Sequence, residues 1–225
     1  MPLGPEAPCA YLPGRTARYE VYAARGLDRA DYQRLLALNF RRSGELVYRP
    51  LCPACAECRQ VRVLATEFRP SRSQRRVWRR NADLRVELAP AVPSAEAHRL
   101  FVRYLDARHG DSMPRSRSDF EAFLFEGPLE TLEARYRLGS RLVAVGILDA
   151  CPDGLSSVYA FFDPDEAGRS LGIFSALWEI DRCRRAGWPH YYLGYHVAGS
   201  RTMDYKARFL PQEVLRAGRW TRRDA

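Results

Sequence analysis

The chain has 225 residues, of which 46% are hydrophobic and 28% charged. That is enough for one large domain or two small ones with a real core, in the ordinary composition range of soluble globular proteins. No run of about 18 apolar residues occurs, which excludes a membrane-spanning helix. Residues 1–5 lack the basic start and apolar stretch of a secretory signal, so a cytoplasmic protein is expected. The net charge of +9 points to a polyanionic partner, although in so Arg-rich a chain the placement of charge counts for more than its total.

In chain order, Tyr19 to Tyr22 alternates like a strand. Asp28 to Phe40 predicts an amphipathic helix, capped by Asp28 and carrying Tyr32, Leu35, Leu36 and Leu38. Leu46 to Tyr48 and Val61 to Leu64 read as strands on either side of a cysteine cluster. Ser71 to Leu84 predicts a second helix. Residues 89–93 (Ala-Pro-Ala-Val-Pro) form the clearest linker, which places a boundary between regions 1–89 and 94–225. A helix from Ser94 to His109 follows, then a polar loop, then a short helix capped by Ser118 and ending at Phe125. Thr131 to Leu138 and Arg141 to Ala150 form a hairpin around Gly139. Ser156 to Phe162 is an aromatic strand, Leu171 to Ala186 a helix, and His190 to Tyr195 another aromatic strand. That order predicts an α+β fold whose second half is acetyltransferase-like, a mixed sheet with flanking helices, and not a doubly wound sheet.

Four patterns carry chemistry. Cys52, Cys55 and Cys58 have the two-residue spacers that let thiolates converge on one ion. Cys9 is the expected fourth ligand, with structural zinc or an iron–sulfur cluster as the occupant. Arg72, Arg75, Arg76, Arg79 and Arg80 fall on a single helical face, where guanidinium groups repel one another unless an anion such as a phosphate backbone lies across them. Trp78, among them, is placed either to stack on a base or to pack inward. Arg169 to Gly172 resembles the pyrophosphate loop of acetyl-CoA-dependent acetyltransferases, but Phe174 stands where that loop needs a small residue, so the cofactor site is expected to be closed. The last block joins Tyr191, Tyr192, Tyr195 and His196 to Tyr205, Lys206, Arg208 and Phe209. Lys206 is the single lysine among 36 basic residues. An ammonium is a compact charge whose pKa falls on burial, whereas a guanidinium is a planar fork that stays charged, so a lone lysine marks a site that needs one.

Together these blocks resemble the aminoacyl-tRNA–protein transferases of the N-degron pathway, and among them the short bacterial aspartate/glutamate leucyltransferases. The segments that carry the resemblance include residues 9–15, the cysteine cluster, Phe68 to Leu84, Phe162 to Gly172, Trp178 to Ile180, Tyr192 to Tyr195 and Met203 to Phe209. The chain departs from the family pattern at His196, where Trp is usual, and at Thr202, where a basic residue is common. Its first cysteine also comes early for the family, which implies that a short leading segment is missing. The resemblance implies transfer of leucine from leucyl-tRNA to the α-amine of proteins beginning with Asp or Glu. It implies no cofactor for the chemistry, an acetyltransferase-like catalytic half, and a monomer. On that reading Lys206, Tyr205 and Tyr195 are the catalytic candidates, and Arg208, Tyr192 and His196 bind substrate. Lys206 or Arg208 would pair with the acceptor's carboxylate, or Lys206 would contact the oxyanion or the tRNA end. Arg72, Arg75, Arg76, Arg79 and Arg80 would hold tRNA. An arginyl donor and, further off, acetyl transfer are the alternatives.

Overall fold

A computed structural model describes residues 3–108, 110 and 113–224; His109, the expected end of the helix begun at Ser94, lies outside the described residues. The first half runs β1 (Ala7–Pro8), β2 (Thr16–Ala17), β3 (Tyr19–Ala23), α1 (Arg29–Ala37), β4 (Arg41–Ser43), β5 (Leu46–Pro50), β6 (Arg59–Leu64), α2 (Arg72–Arg80) and β7 (Leu84–Pro90). The second half runs α3 (Ala95–Arg108), α4 (Arg117–Leu124), β8 (Thr131–Leu138), β9 (Arg141–Cys151), β10 (Gly154–Phe162), α5 (Leu171–Arg185), β11 (His190–His196), β12 (Gln212–Arg216) and β13 (Arg219–Arg223). Short 3₁₀ turns occupy Pro164–Arg169 and Asp204–Arg208.

Local chemistry explains where the helices begin and end. Asp28 caps α1 by accepting from the Asp31 amide at 2.8 Å. The helix stops at Ala37, short of the expected Phe40, because Asn39 turns left-handed at φ 68°. Ser71 and Gln74 form a reciprocal capping box on α2. α2 ends at Arg80 and not at Leu84, because Leu84 already begins the edge strand β7. Ser116, not Ser118, caps α4, accepting from the Asp119 amide at 3.1 Å.

One eight-stranded sheet, in the order β13-β12-β6-β11-β10-β9-β8-β7, forms the body. The expected linker is shorter than its composition suggests: Ala89 pairs with Glu133 and Pro90 with Leu132 inside the sheet, and only residues 91–94 form an irregular connection from β7 to α3. β6, from the other end of the N-terminal half, pairs with both β11 and β12. The boundary drawn at 89–93 therefore begins within a ladder shared by both halves. Proline is tolerated there because β7 lies at the sheet's edge. β9 is buried from Leu142 to Cys151, as a central strand covered on both faces must be. Phe174, Leu177 and Ile180 of α5 pack in one core cluster with Ala134, Tyr136 and Ala144. Phe101 and Leu105 of α3 and Phe120 and Leu124 of α4 form another with Val145, Ile147 and Phe161. Two faces covered by helices give the mixed α/β architecture.

A smaller sheet, β3-β5-β4, is tied to this body by a buried ion pair. Arg42 Nε and Nη2 lie 2.8 and 2.9 Å from the two carboxylate oxygens of Asp149, and both side chains are fully buried. Arg42 also donates to the Glu126 carbonyl at 3.1 Å, and Asp149 accepts from Thr131 at 2.9 Å. Such pairing satisfies most of what burial strips of water.

Candidate functional site

β10 and β11 run parallel, yet they pair over only three residues, Gly154 to Ser156 against His190 to Tyr192. Both strands shift register on their other ladders just beyond that point, between Ser157 and Tyr159 and between Tyr192 and Gly194. Where they part, Arg41 reaches in from β4. Its guanidinium donates to Ser156 Oγ at 3.2 Å and to the Ser157 carbonyl. Lys206, in the Asp204–Arg208 turn, arrives at the same place. A methyl group added at Gly194 would lie 3.3 Å from Lys206 Nζ and 3.4 Å from Arg41 Cζ, so the two cations crowd one backbone position. Gly194 has φ 85°, which a side chain would also strain.

Lys206 is 8% exposed. Burial first, and then the neighbouring Arg41, push its pKa down from 10.5 to about 7. Among the described residues neither cation has a carboxylate in an ion pair. Tyr32, Tyr48 and Tyr195 surround Arg41 instead. Two buried basic groups side by side with no acid between them can accept an anion.

The other residues named from sequence are placed differently. Tyr195 forms a wall of this cluster, but its hydroxyl is already donated to the Asn39 carbonyl at 2.7 Å. Tyr205 packs against Phe209 beneath α5, and burial raises its pKa to about 12. Tyr192 is held away by Asp153, its hydroxyl 3.1 Å from that carboxylate and its ring against Trp220. His196 lies 3.3 Å from Asp204 and so anchors the turn that carries Lys206. Arg208 is exposed, and its carbonyl accepts from Gln74 of α2 at 3.1 Å. Lys206 and Arg208, two residues apart, therefore face different surroundings.

Sequence reasoning missed Arg41 and Asn39. The available signal was the Arg41–Arg42 doublet just past a helix end, which abundant arginine conceals. Asn39 uses every polar group it has: Nδ2 donates to the Cys58 carbonyl at 3.0 Å, Oδ1 accepts from the Gln60 amide at 3.1 Å, and its carbonyl receives Tyr195.

Beyond Asn39 lies a pocket of about 670 Å³ lined by Cys9, Cys52, Cys55 and Cys58 among others. None of the four is in a disulfide. The amides of Tyr11 and Leu12 both point at Cys9 Sγ from 3.4 Å. Four thiols around one space, with amides aimed at sulfur, suit a thiophilic ion by donor type. Among the described residues, no three His, Cys, Asp or Glu side chains are arranged closely enough to hold a metal ion as they stand.

The arginine face of α2 points outward as its spacing predicts: Arg72, Arg75, Arg76, Arg79 and Arg80 are exposed, while Gln74, Val77 and Trp78 turn inward. Asp83, the acid nearest the stripe in sequence, is bound to Arg169 at 2.8 Å. The stripe keeps its charge. Phe174 corrects an expectation: it does not block the helix start but packs into the core against Trp78 and Tyr136, at 5.7 and 5.9 Å between ring centres. Arg169 is engaged by Asp83 and Glu166, and the Phe162 ring lies 3.1 Å from where a Gly172 side chain would begin.

Residues 7–76 match the family described as "Arginine-tRNA-protein transferase, N terminus" and residues 96–216 match "Arginine-tRNA-protein transferase, C terminus". A curated aspartate/glutamate leucyltransferase of Marinobacter nauticus is 43% identical over 219 residues, covering 96% of this chain and 92% of that one. Another, from Bradyrhizobium diazoefficiens, is 45% identical over 233 residues, covering 97% and 90%. Among solved structures, L-PGS from Bacillus licheniformis is similar with a TM-score of 0.50 at 12% identity, over 65% of this chain and 49% of that chain, a likeness of fold alone. With both family segments matched in order and relatives aligned almost end to end, the chain belongs to the arginine-tRNA–protein transferase family.

Proposed function

We propose that the chain transfers leucine from leucyl-tRNA to the α-amine of proteins beginning with Asp or Glu, as the names of its relatives describe, and so creates a signal for degradation. The observation that carries the reading is the pair of buried cations, Lys206 and Arg41, set without a carboxylate where β10 and β11 part. In the reaction the acceptor's amine attacks the ester carbonyl, a C–N bond forms, and the C–O bond to the tRNA ribose breaks. The amine loses a proton and the ribose hydroxyl gains one. With an α-amine pKa near 7.7–8.0, about a tenth or more of the acceptor is already neutral near pH 7, so only modest deprotonation is required and positioning supplies much of the rate.

Lys206 and Arg41 together bind the acceptor's side-chain carboxylate, with the carboxylate restoring the charge that burial weakens on Lys206. Arg208, being exposed, serves the tRNA side. The α2 arginines hold tRNA phosphates. Cys9, Cys52, Cys55 and Cys58 would hold a structural zinc or an iron–sulfur cluster, whose contribution would be to folding and not to bond making.

An arginyl donor is the second reading, favoured by the description of the matched family. It would need a free buried acid for the donor's guanidinium. Among the described residues the buried carboxylates Glu20, Asp149, Asp163 and Glu179 are engaged by Arg49, Arg42, Arg103 and Tyr136 among others, and Glu133 is held by Arg135 through one oxygen while its other oxygen has no partner. That favours leucine.

The experiment is transfer of labelled leucine, arginine and phenylalanine from charged tRNA onto peptides beginning with Asp, Glu, Lys or Ala. Leucine should go to Asp and Glu peptides only. A folded Lys206→Ala protein should be slower on Asp and Glu peptides by roughly a hundredfold, within the range for truncating one partner of a buried charge pair. Transfer by that variant at the unaltered rate would remove the assignment.

A further inference from the structure

Between α2 and α5 lies a pocket of about 660 Å³ that the reaction does not use. Its floor is Phe68, Leu177 and Ile180, all buried, and Trp78 forms one wall, half-buried and leaning on Phe174. Arg69, Arg75, Arg79 and Arg184 stand exposed around it. The single acid in the lining, Asp181, is neutralised by Arg184 and Arg185, each at 2.6 Å. An apolar, aromatic interior under a cationic rim offers a planar ring a surface to stack on and flanking anions a partner at the mouth.

We propose that this pocket receives one unstacked base of an RNA strand, with the flanking phosphates held by the rim. The volume lies within the range of small-ligand pockets. A base stacks on an indole or guanidinium plane whatever its sequence, and arginine forks onto phosphate oxygens. The occupant is a strand and not a free nucleotide because Arg75 and Arg79 belong both to the rim and to the outward stripe of α2. A backbone crossing Arg72 and Arg76 therefore runs directly past the pocket's mouth. The inference rests on the tRNA-dependent reading above and adds where the RNA is gripped away from the reacting ester.

The test measures binding of leucyl-tRNA by the full chain across a salt series, with leucine transfer at saturating tRNA alongside. Trp78→Leu should weaken binding by roughly five- to a hundredfold, the range for losing one base stack, and Trp78→Phe should recover most of it. Arg79→Gln and Arg184→Gln should each lower the log–log salt slope by about 0.7. Because Trp78 also packs in the core, tRNA carrying 4-thiouridine supplies a second measure on the unaltered protein: the crosslink should map to Phe68–Trp78 or Leu177–Arg184. Unchanged affinity in folded Trp78→Leu with crosslinks elsewhere would overturn the pocket while leucine transfer still stands. So would competition for the pocket by an Asp-initiated peptide. An unaltered protein that binds no leucyl-tRNA would sink both readings.

Discussion

Lys206 stands out twice, as the lone lysine of the sequence and as a buried ammonium beside a buried guanidinium. The second fact has a thermodynamic consequence. Its folded-state pKa of about 7 lies below the ordinary 10.5, so between those values the unfolded chain holds a proton that the folded chain has lost. Stability contributed at this position therefore rises with pH from about 7 to about 10.5 and is lowest below 7. Lys206→Met should be more stable than the unaltered protein by a few kcal/mol near pH 6, with the gap closing as pH approaches 10. Urea unfolding of both proteins at the two ends of that range checks this. A gap that does not change with pH would show an anion already neutralising the lysine. A destabilising residue kept in place is what a binding site, and not a core, selects.

At the scale of elements, the join between the small sheet and the large one rests on Arg42 and Asp149. Removing one partner leaves the other charged and dry. Arg42→Ala or Asp149→Ala should each cost about 3–5 kcal/mol in denaturant unfolding, while replacing both by apolar residues of similar size should cost clearly less. Neighbouring Arg41 rides on the same short strand, so a destabilised Arg42 variant should lose transfer before it loses secondary structure. The elements themselves were mostly legible. The caps at Asp28 and Ser71 act locally, and α2 shows the outward arginine face its spacing requires. What failed, failed for a tertiary reason. Residues 89–93 carry the Pro and Ala of a linker, but Ala89 and Pro90 find partners on β8, and propensity gives way to a ladder. β12 and β13 follow the turn that carries Lys206 and were not foreseen, because β12 joins the sheet through β6, some 150 residues away in sequence, and β13 joins it only through β12.

At the scale of the whole molecule, the cysteine pocket and the cation pair are joined through one residue, Asn39, which bonds Cys58, Gln60 and Tyr195 together. Protein purified without chelator should carry about one zinc per chain, or iron with the visible absorption of a cluster, and Cys58→Ser should lose it, by elemental analysis. Loss of that ion should lower the thermal midpoint more than it lowers the leucine transfer of the protein still folded. Metal content equal in Cys58→Ser and unaltered protein would place the ion elsewhere.

The sequence by itself determined what acts over short distances: helix caps, the arginine face, the thiol spacing, the isolated lysine and the motifs that mark the family. These depend on residue type and local periodicity, which a one-dimensional string records. Tertiary structure alone decided the company each residue keeps. It set Arg41, one of many arginines, against Lys206 from the far end of the chain, and drew Tyr192 off to Asp153. It also turned Phe174 into core. Burial, and with it the shifted charge of Lys206, is a property of packing between distant segments, and no spacing rule encodes it.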